Sequence, residues 1–476
     1  MSRILFVNTL SLLAGSLLAV AVANAQNITT SGINGRVLDA TGQPVAGATV
    51  VIRHRPTGTV VETTTDATGR YSAQGLRVGG PFDVRADKGG ATVAEQDNVF
   101  LQLGQPASIN LAAAAAKSLD TITVNASSTA LMFASDNKGL STNISQRQLQ
   151  ATPTGNRSMD DVLRLDPRIT VMDQGIGSIS ANGQNNRYNN IAVDGVSQGD
   201  PFGLNANGLP YQKSPISPES IAEYNIATAN YDVISDSVGA DVNAVTKSGT
   251  NEFHGSAYYS YRNAKHLVGD AGWLSSGTPG YKYNGYHLDW TGGFNLGGPI
   301  IKDTLFFFIA AEHERTTGIG ADSVNGLDFS LGNGPSTSNK ISPGDVQKVI
   351  DAANALGLHP GVFGAGAGGL TYDDKRYLAK VDWNIANGHR ANFTYQRTDE
   401  QLPAVGGNST NSIGLSSYTY TKAIRTDNYV ASIFDDWSDN FSTETKVGYQ
   451  KFTQDTTAPW QQPAIAVNLS PTGNGP

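Results

Sequence analysis

The sequence contains no cysteine in 476 residues. That removes disulfide frameworks, iron–sulfur clusters, cysteine-based zinc sites and cysteine nucleophiles. Charge is sparse as well. Asp, Glu, Lys and Arg make up 16% of the chain, against roughly 25% in an average soluble protein. Acidic side chains outnumber basic ones, 41 to 33, for a net charge of −8. A surface built to neutralise phosphates is therefore not expected, nor is a nucleic-acid partner. The seven histidines are scattered, Glu312-His313-Glu314 lacks the second histidine of a zincin, and no structural metal is expected. There is no Gly-x-Ser-x-Gly elbow and no nucleophile–base pair. Gly364 to Gly369 satisfies G-x-G-x-x-G letter by letter, but no strand leads in and no helix follows, so it reads as a loop. The chain is expected to be neither an enzyme nor a cofactor carrier. Beyond residue 25 no run of 18 apolar residues exists, which leaves no internal membrane helix.

What is present points to β-structure. Glycine supplies 53 residues, about 11% against a usual level of roughly 7%. Eighteen Tyr, 16 Phe and 5 Trp accompany it. This combination fits a β-rich protein, including one that faces lipid, of about three domains by length. Residues 1–25 carry Arg3, an apolar stretch to Ala23, and the cleavage pattern Ala23-Asn24-Ala25 before Gln26. They read as a secretory signal peptide cut between Ala25 and Gln26, so the mature chain is exported.

Residues 31–113 show short apolar or alternating runs at 8–12-residue spacing, with turn clusters at 39–47 and 66–69, the pattern of a β-sandwich. The run from Gly35 to Val50 (G-x-V-x-D-x-x-G-x-P-V-x-G-A-x-V), followed by Thr65 to Tyr71 (T-D-x-x-G-x-Y), resembles the carboxypeptidase regulatory-like, transthyretin-like domain. That family has a carbohydrate-binding-like fold. No aromatic platform stands here, so no sugar site is expected. Asp39, Gly42 and Pro44 are read as turn builders, Tyr71 as core, and His54, between Arg53 and Arg55, as a solvated strand end.

A linker follows at 118–128. Within it Asp120-Thr121-Ile122-Thr123-Val124 is β-branched and too short to bury a core, but fit to add as a strand to another protein's sheet edge. Residues 130–250 read as a compact α/β globule. It has a capped helix from Met159 to Leu165, a hairpin turn at Asp194-Gly195 and a second short helix opened by Ser217-Pro218. Three runs, Asn156–Pro167, Asn182–Val196 and Val242–Ser256, resemble the plug and first barrel strand of TonB-dependent receptors of the Oar-like subfamily. The chain departs from that pattern at Gly239-Ala240-Asp241, where paired glycines are common. The resemblance implies that 120–124 is a TonB box.

From 251 to 476 the side chains alternate. Tyr377, Ala379, Val381, Trp383 and Ile385 interleave with Lys380, Asp382 and Asn384; four further segments, 253–262, 286–298, 391–396 and 444–449, behave similarly, and Leu305–Ala311 is less clean, being apolar on both faces. The gaps between the seven segments are long (264–284, 317–375, 400–423) and short (299–303, 387–388, 438–440) in turn. This is the dyad pattern and loop asymmetry of an outer-membrane barrel, whereas a soluble sandwich predicts the alternation without the asymmetry. Ser342, Pro343 and the face Val346, Val349, Ile350 and Ala353 predict a helix inside the longest loop. The fold expected is mainly β: an N-terminal β-sandwich, a small α/β plug and an incomplete antiparallel transmembrane β-barrel.

The resemblance implies an outer-membrane TonB-dependent receptor or transporter. Its sandwich would be periplasmic, its wall would face outer-membrane lipid, and it would take energised uptake of an unidentified extracellular ligand from TonB with inner-membrane ExbB and ExbD. Arg157, Arg164 or Arg187 of the plug is expected to pair with lumen acids such as Glu312 or Glu314, since a buried charge is costly alone. Plugged transporters have about 22 strands. Seven strands here take about 200 residues, so the chain is expected to be a fragment of one needing roughly 640 for its barrel. Two other readings remain: a secreted adhesion module and a passive porin.

Overall fold

The computed structural model describes residues 28–113, 139–230 (without 153, 155–156, 174–176, 204 and 206), 238–263, 286–319, 343–362, 369–405, 414–458 (without 440) and 465–467. The signal segment with Ala25 and Gln26, the 118–128 linker with Asp120–Val124, and most of the 364–369 run lie outside them.

The first unit is a sandwich of two four-stranded sheets. One has order β4-β1-β7 with β8 also on β1; the other is β3-β2-β5-β6. The strands are β1 (Ser31–Leu38), β2 (Thr49–His54), β3 (Val60–Thr64), β4 (Arg70–Leu76), β5 (Gly79–Lys88), β6 (Ala91–Leu101), β7 (Ala107–Ser108) and β8 (Leu111–Ala112). Ile33, Val37, Val50, Ile52, Phe82, Val84 and Leu101 fill the space between the sheets. Asp39 and Asp66 do build turns. The Thr41 hydroxyl and Gln43 N–H hold one carboxylate below its ordinary range, and the Arg70 N–H and Thr68 hydroxyl hold the other. Tyr71 is core, its hydroxyl donating to the Ile109 carbonyl at 2.7 Å. His54 is not solvated. Along β2 side chains alternate, so His54 shares the inward face of Val50 and Ile52 while Arg53 and Arg55 point out. Its ring lies 4.7 Å from Phe82, Nδ1 is 2.7 Å from the Thr57 hydroxyl, and burial pushes its pKa down to about 3.

The second unit spans the described residues of 139–250. A five-stranded sheet runs β13-β12-β15-β14-β9, formed by β9 (Gly139–Ser145), β12 (Asn190–Val193), β13 (Val196–Ser197), β14 (Ile221–Asn230) and β15 (Asp241–Thr246). A small hairpin of β10 (Ile169–Asp173) and β11 (Ser178–Ala181) and two short helices, α1 (Gln146–Ala151) and α2 (Asp160–Leu163), complete it. Asp194 and Gly195, at φ +47° and +80°, turn the chain from β12 to β13, the positive-φ pair that a two-residue hairpin demands. Two helix expectations are corrected. Met159–Leu165 shrinks to the four residues of α2. The helix begun at Ser217 is one 3₁₀ turn, Pro218–Ser220, after which β14 runs as a central strand between β15 and β9. The spacing of Ile221, Tyr224 and Ile226 fits neither period cleanly, because a central strand packs on both faces and a bulge lies between Ile221 and Glu223.

The third unit is one antiparallel sheet of seven strands in sequence order, the wall. It comprises β16 (His254–Asn263), β17 (Leu288–Ile301), β18 (Leu305–Ile319), β19 (Leu370–Ala386), β20 (His389–Val405), β21 (Thr419–Ser438) and β22 (Phe441–Thr457). Connections of two or three residues at one end alternate with long ones at the other, as the sequence predicts. The helix α3 (Pro343–Ala355) stands in the longest, with Val346 and Ile350 buried. Gly249 carries the chain from plug to wall. A Cβ there would stand 2.3 Å from the Phe307 carbonyl oxygen and 2.8 Å from that of Gly298, so only glycine allows this approach.

Candidate functional site: the plug–wall interface

The two faces of the wall differ in chemistry. The outer face carries Leu296, Phe294, Phe307, Ile309, Val381, Trp383, Phe393, Tyr395, Tyr429, Ile433, Val447 and Tyr449, most of them exposed. Aromatics ladder across neighbouring strands: Tyr395 to Tyr429 at 5.0 Å and Tyr429 to Tyr449 at 6.1 Å between ring centres. Trp383, Trp437 and Phe441 mark the short-turn side. Beyond the tyrosine row, towards the long loops, the same face turns ionic. Asp373 meets His313 (2.9 Å) and Lys375 (3.3 Å), and Asp399 meets Arg425 (2.9 Å) and Arg397 (3.1 Å). From Ile385 to Tyr377 the outward side chains are uncharged, a stretch roughly 20 Å tall at about 3.3 Å per residue and the usual strand tilt, close to the apolar band of about 25 Å that a barrel shows to lipid.

The inner face is mainly polar, with an apolar patch where the plug touches it. Phe308, Ala310 and Leu378 join Ile191, Tyr211, Ile226 and Val242 of the plug in one cluster. That is why Leu305–Ala311 is apolar on both faces: one meets lipid, the other the plug. Next to this patch Arg376 lies with its side chain 1% exposed, paired with Glu312, Asp374 and, at 3.5 Å, Glu314. Arg157 of the plug reaches the same Glu312 (Nε to Oε2 3.0 Å), lies 4.4 Å over the Tyr258 ring, and also pairs with Glu219. Lys213 of the plug pairs with Glu314. Tyr258 donates to Glu312 at 2.6 Å, Tyr372 to Glu400 at 2.8 Å, and the Gln212 backbone N–H to Glu400 at 3.0 Å. Glu312, Glu314 and Asp374, buried around Arg376, thus meet two partly exposed plug cations. Lower down, Lys380 (3.0 Å) donates to Thr246, and Thr394 (3.0 Å) to Asp194.

A domain model described as an outer membrane beta barrel domain matches residues 245–475, and one described as a carboxypeptidase regulatory-like domain matches 32–114. Just under half of the chain is thus similar to an outer-membrane β-barrel domain. It is similar to the TonB-dependent transporter Oar of Myxococcus xanthus, 27% identical over 417 residues, 84% of this chain and 36% of the relative. It therefore spans about a third of that relative's length. Among solved structures it is similar to the siderophore receptor PirA from Pseudomonas aeruginosa (13% identity, 66% of this chain and 41% of the other, TM-score 0.41). It is also similar to the ferric yersiniabactin uptake receptor FyuA from Yersinia pestis (16%, 68% and 43%, TM-score 0.43). The matched barrel domain places the chain in the outer membrane of a Gram-negative cell.

Of the five plug and barrel residues named from the sequence, the structure brings Arg157 to Glu312 and gives Glu314 a different plug partner, Lys213. Arg164 does not reach the barrel. It follows α2 and folds back on Asp161 at 3.2 Å, three residues earlier on the same turn. Arg187 stands exposed in a 3₁₀ turn away from the acids. Arg376 and Lys213 were not foreseen. Arg376 has a signal in the sequence, because it continues the inward parity of Lys380 and Asp382 on β19.

A second seam joins sandwich and plug. Glu223 on β14 accepts the Leu103 N–H at 3.0 Å and the Asn143 side-chain amide at 2.6 Å, and burial pushes its pKa up to about 7 from 4.5. The native state then holds a proton that the unfolded chain has released between pH 4.5 and 7. The stabilisation from Glu223 is full below pH 4.5 and is lost as pH rises through 7, by at most about 1.4 kcal/mol per pH unit. Urea midpoints taken from pH 4.5 to 8 should fall across this window, and Glu223→Gln should flatten the fall.

Proposed function

We propose that the chain acts as a TonB-dependent outer-membrane receptor or transporter in energised uptake of an extracellular ligand. One observation carries this reading: the globule of 139–250 sits against the polar inner face of the wall through Arg157–Glu312 and its neighbours, while the outer face is apolar and aromatic. A lipid-facing wall with an ion-paired domain inside it is a closed passage whose opening needs work. The similarity to Oar and the strand-prone Asp120–Val124 segment between sandwich and plug support TonB as the source of that work. Strand β16 and strand β22 each have a free edge within the described sheet. Backbone groups at such edges have no partner in lipid, so the working barrel takes further strands to close.

Strand addition to TonB depends on main-chain N–H groups. Ile122→Pro removes one and fixes φ. Capture of the full-length chain by the purified periplasmic domain of TonB should weaken at least tenfold, while Ile122→Val leaves it unchanged. Equal capture of the proline variant would leave a passive porin as the better reading. A mature chain that stays in the aqueous phase during detergent-free extraction would instead favour the secreted adhesion module.

A further inference from the structure

The sandwich grips both the barrel wall and the plug. On the wall side its contacts cluster at the short-turn rim. Arg77 Nη1 lies 2.6 Å from Asp382 Oδ1, and the two side chains are 8% and 0% exposed. Arg77 Nη2 donates to Asn384 Oδ1 at 3.2 Å, and the Thr59 hydroxyl donates to the same oxygen at 3.0 Å. Asn384 Nδ2 returns a bond to the Thr57 carbonyl at 3.2 Å. Arg390 donates to the Gly75 carbonyl, and the Asn251 N–H donates to Pro56 at 2.7 Å. On the plug side, the Leu103 N–H donates to Glu223 as described, the Leu103 carbonyl accepts from Asn143 Nδ2 at 3.0 Å, and Gln105 donates to Ser141 at 2.8 Å.

A buried ion pair between residues 305 positions apart is not a glancing contact. Parting it takes from Asp382 its hydrogen-bonded cation, leaving only the more distant charges of Lys380 and Arg390 on the inner face of the wall. The rim residues engaged belong to β19, to β20 and to the start of the chain's path into β16, so the sandwich lies over the mouth at this end of the wall.

We propose that the sandwich is a docked cap that clamps the plug against the short-turn mouth of the wall, so that the plug rearranges only after the cap lets go. Its occupant is this chain's own N-terminal domain, and its release is keyed by the Arg77–Asp382 pair. The description of that mouth as periplasmic rests on the transporter reading. The clamp itself rests on the contacts alone. Residues 114–138 connect the cap to β9, so a pull on this connection loads the Leu103–Glu223–Asn143 seam on one side and the Arg77 seam on the other.

The absence of native cysteine makes the test clean. Thr59→Cys with Asn384→Cys in the full chain, in outer-membrane vesicles, is treated with a short bis-maleimide. Most molecules should link, at least fivefold more than a pair with Glu62→Cys in place of Thr59→Cys. Adding Arg77→Gln together with Asp382→Asn, a neutral pair that strands no charge, should cut the yield at least fivefold. In the linked chain, amide exchange of residues 221–246 should slow at least tenfold relative to the unlinked chain. A yield equal to the control pair, indifference to the neutral pair, or unchanged exchange in linked chains would each overturn the clamp. A chain recovered in the aqueous phase would overturn the transporter reading and leave the cross-linking result to stand or fall separately.

Discussion

Arg376→Met is expected to destabilise the association of plug and wall by about 3–5 kcal/mol, the usual cost of removing one partner from a buried ion pair. The reason is arithmetic of charge. Glu312, Glu314 and Asp374 converge on this guanidinium in a site closed to solvent. Without it the three carboxylates share only Arg157 and Lys213, both from the plug. The variant should show a lower urea midpoint and faster proteolysis of residues 139–250 in vesicles. Arg157→Ala, which removes a contact to Glu312 that Arg376 partly covers, should cost less. A double variant should deviate from additivity, because both cations serve the same carboxylate. A change below about 1 kcal/mol for Arg376→Met, the range of a solvated pair, would mean that lumen water reaches these acids and that the cluster does not hold the plug.

The second large effect is expected on the other face. Val381 and Phe393 are paired across β19 and β20 midway between the Trp383 side and the tyrosine row. An arginine at the midplane of a lipid-facing strand costs about 2–4 kcal/mol, and the cost falls towards the interfaces. Val381→Arg should therefore reduce the membrane-inserted fraction by tenfold or more, while Lys375→Arg, on the same face among the charges beyond the band, should be neutral. In a water-soluble sandwich Val381→Arg would improve solubility. Accumulation of that variant in the soluble fraction with an unchanged urea midpoint would refute a lipid-facing wall.

These two positions show what the sequence discloses and what it hides. Lipid on one side and a polar lumen on the other impose a period of two, so the seven strands, their parity and the alternation of short and long connections could be read directly. The pairing of Arg376 with Glu312 could not. It depends on the register between β18 and β19, which are separated by a long connection, and register follows from the whole sheet. The same holds for Arg164, whose nearest acid lies on its own helix, and for Lys213, which reaches Glu314 from an irregular segment with no periodicity to read. His54 is legible by parity with Val50 and Ile52, although Arg53 and Arg55 on either side carry the signature of a solvated strand end. The stretch at Leu305–Ala311 broke the pattern for a reason visible only after folding, since Phe308 and Ala310 face a second protein surface and not lumen water.

The wall strands are 14 to 20 residues long from β17 to β22, while about 9–11 tilted residues suffice to cross a bilayer. The excess lies on the long-loop side, beyond the tyrosine row. On β20 alone it runs from Arg397 to Val405, a stiff parapet rising roughly 20 Å above the lipid at about 3.3 Å per residue and the usual tilt. A bulky visitor such as an antibody or a phage fibre would land on this parapet, and only molecules slim enough to descend within it would reach the residues that hold the floor in place.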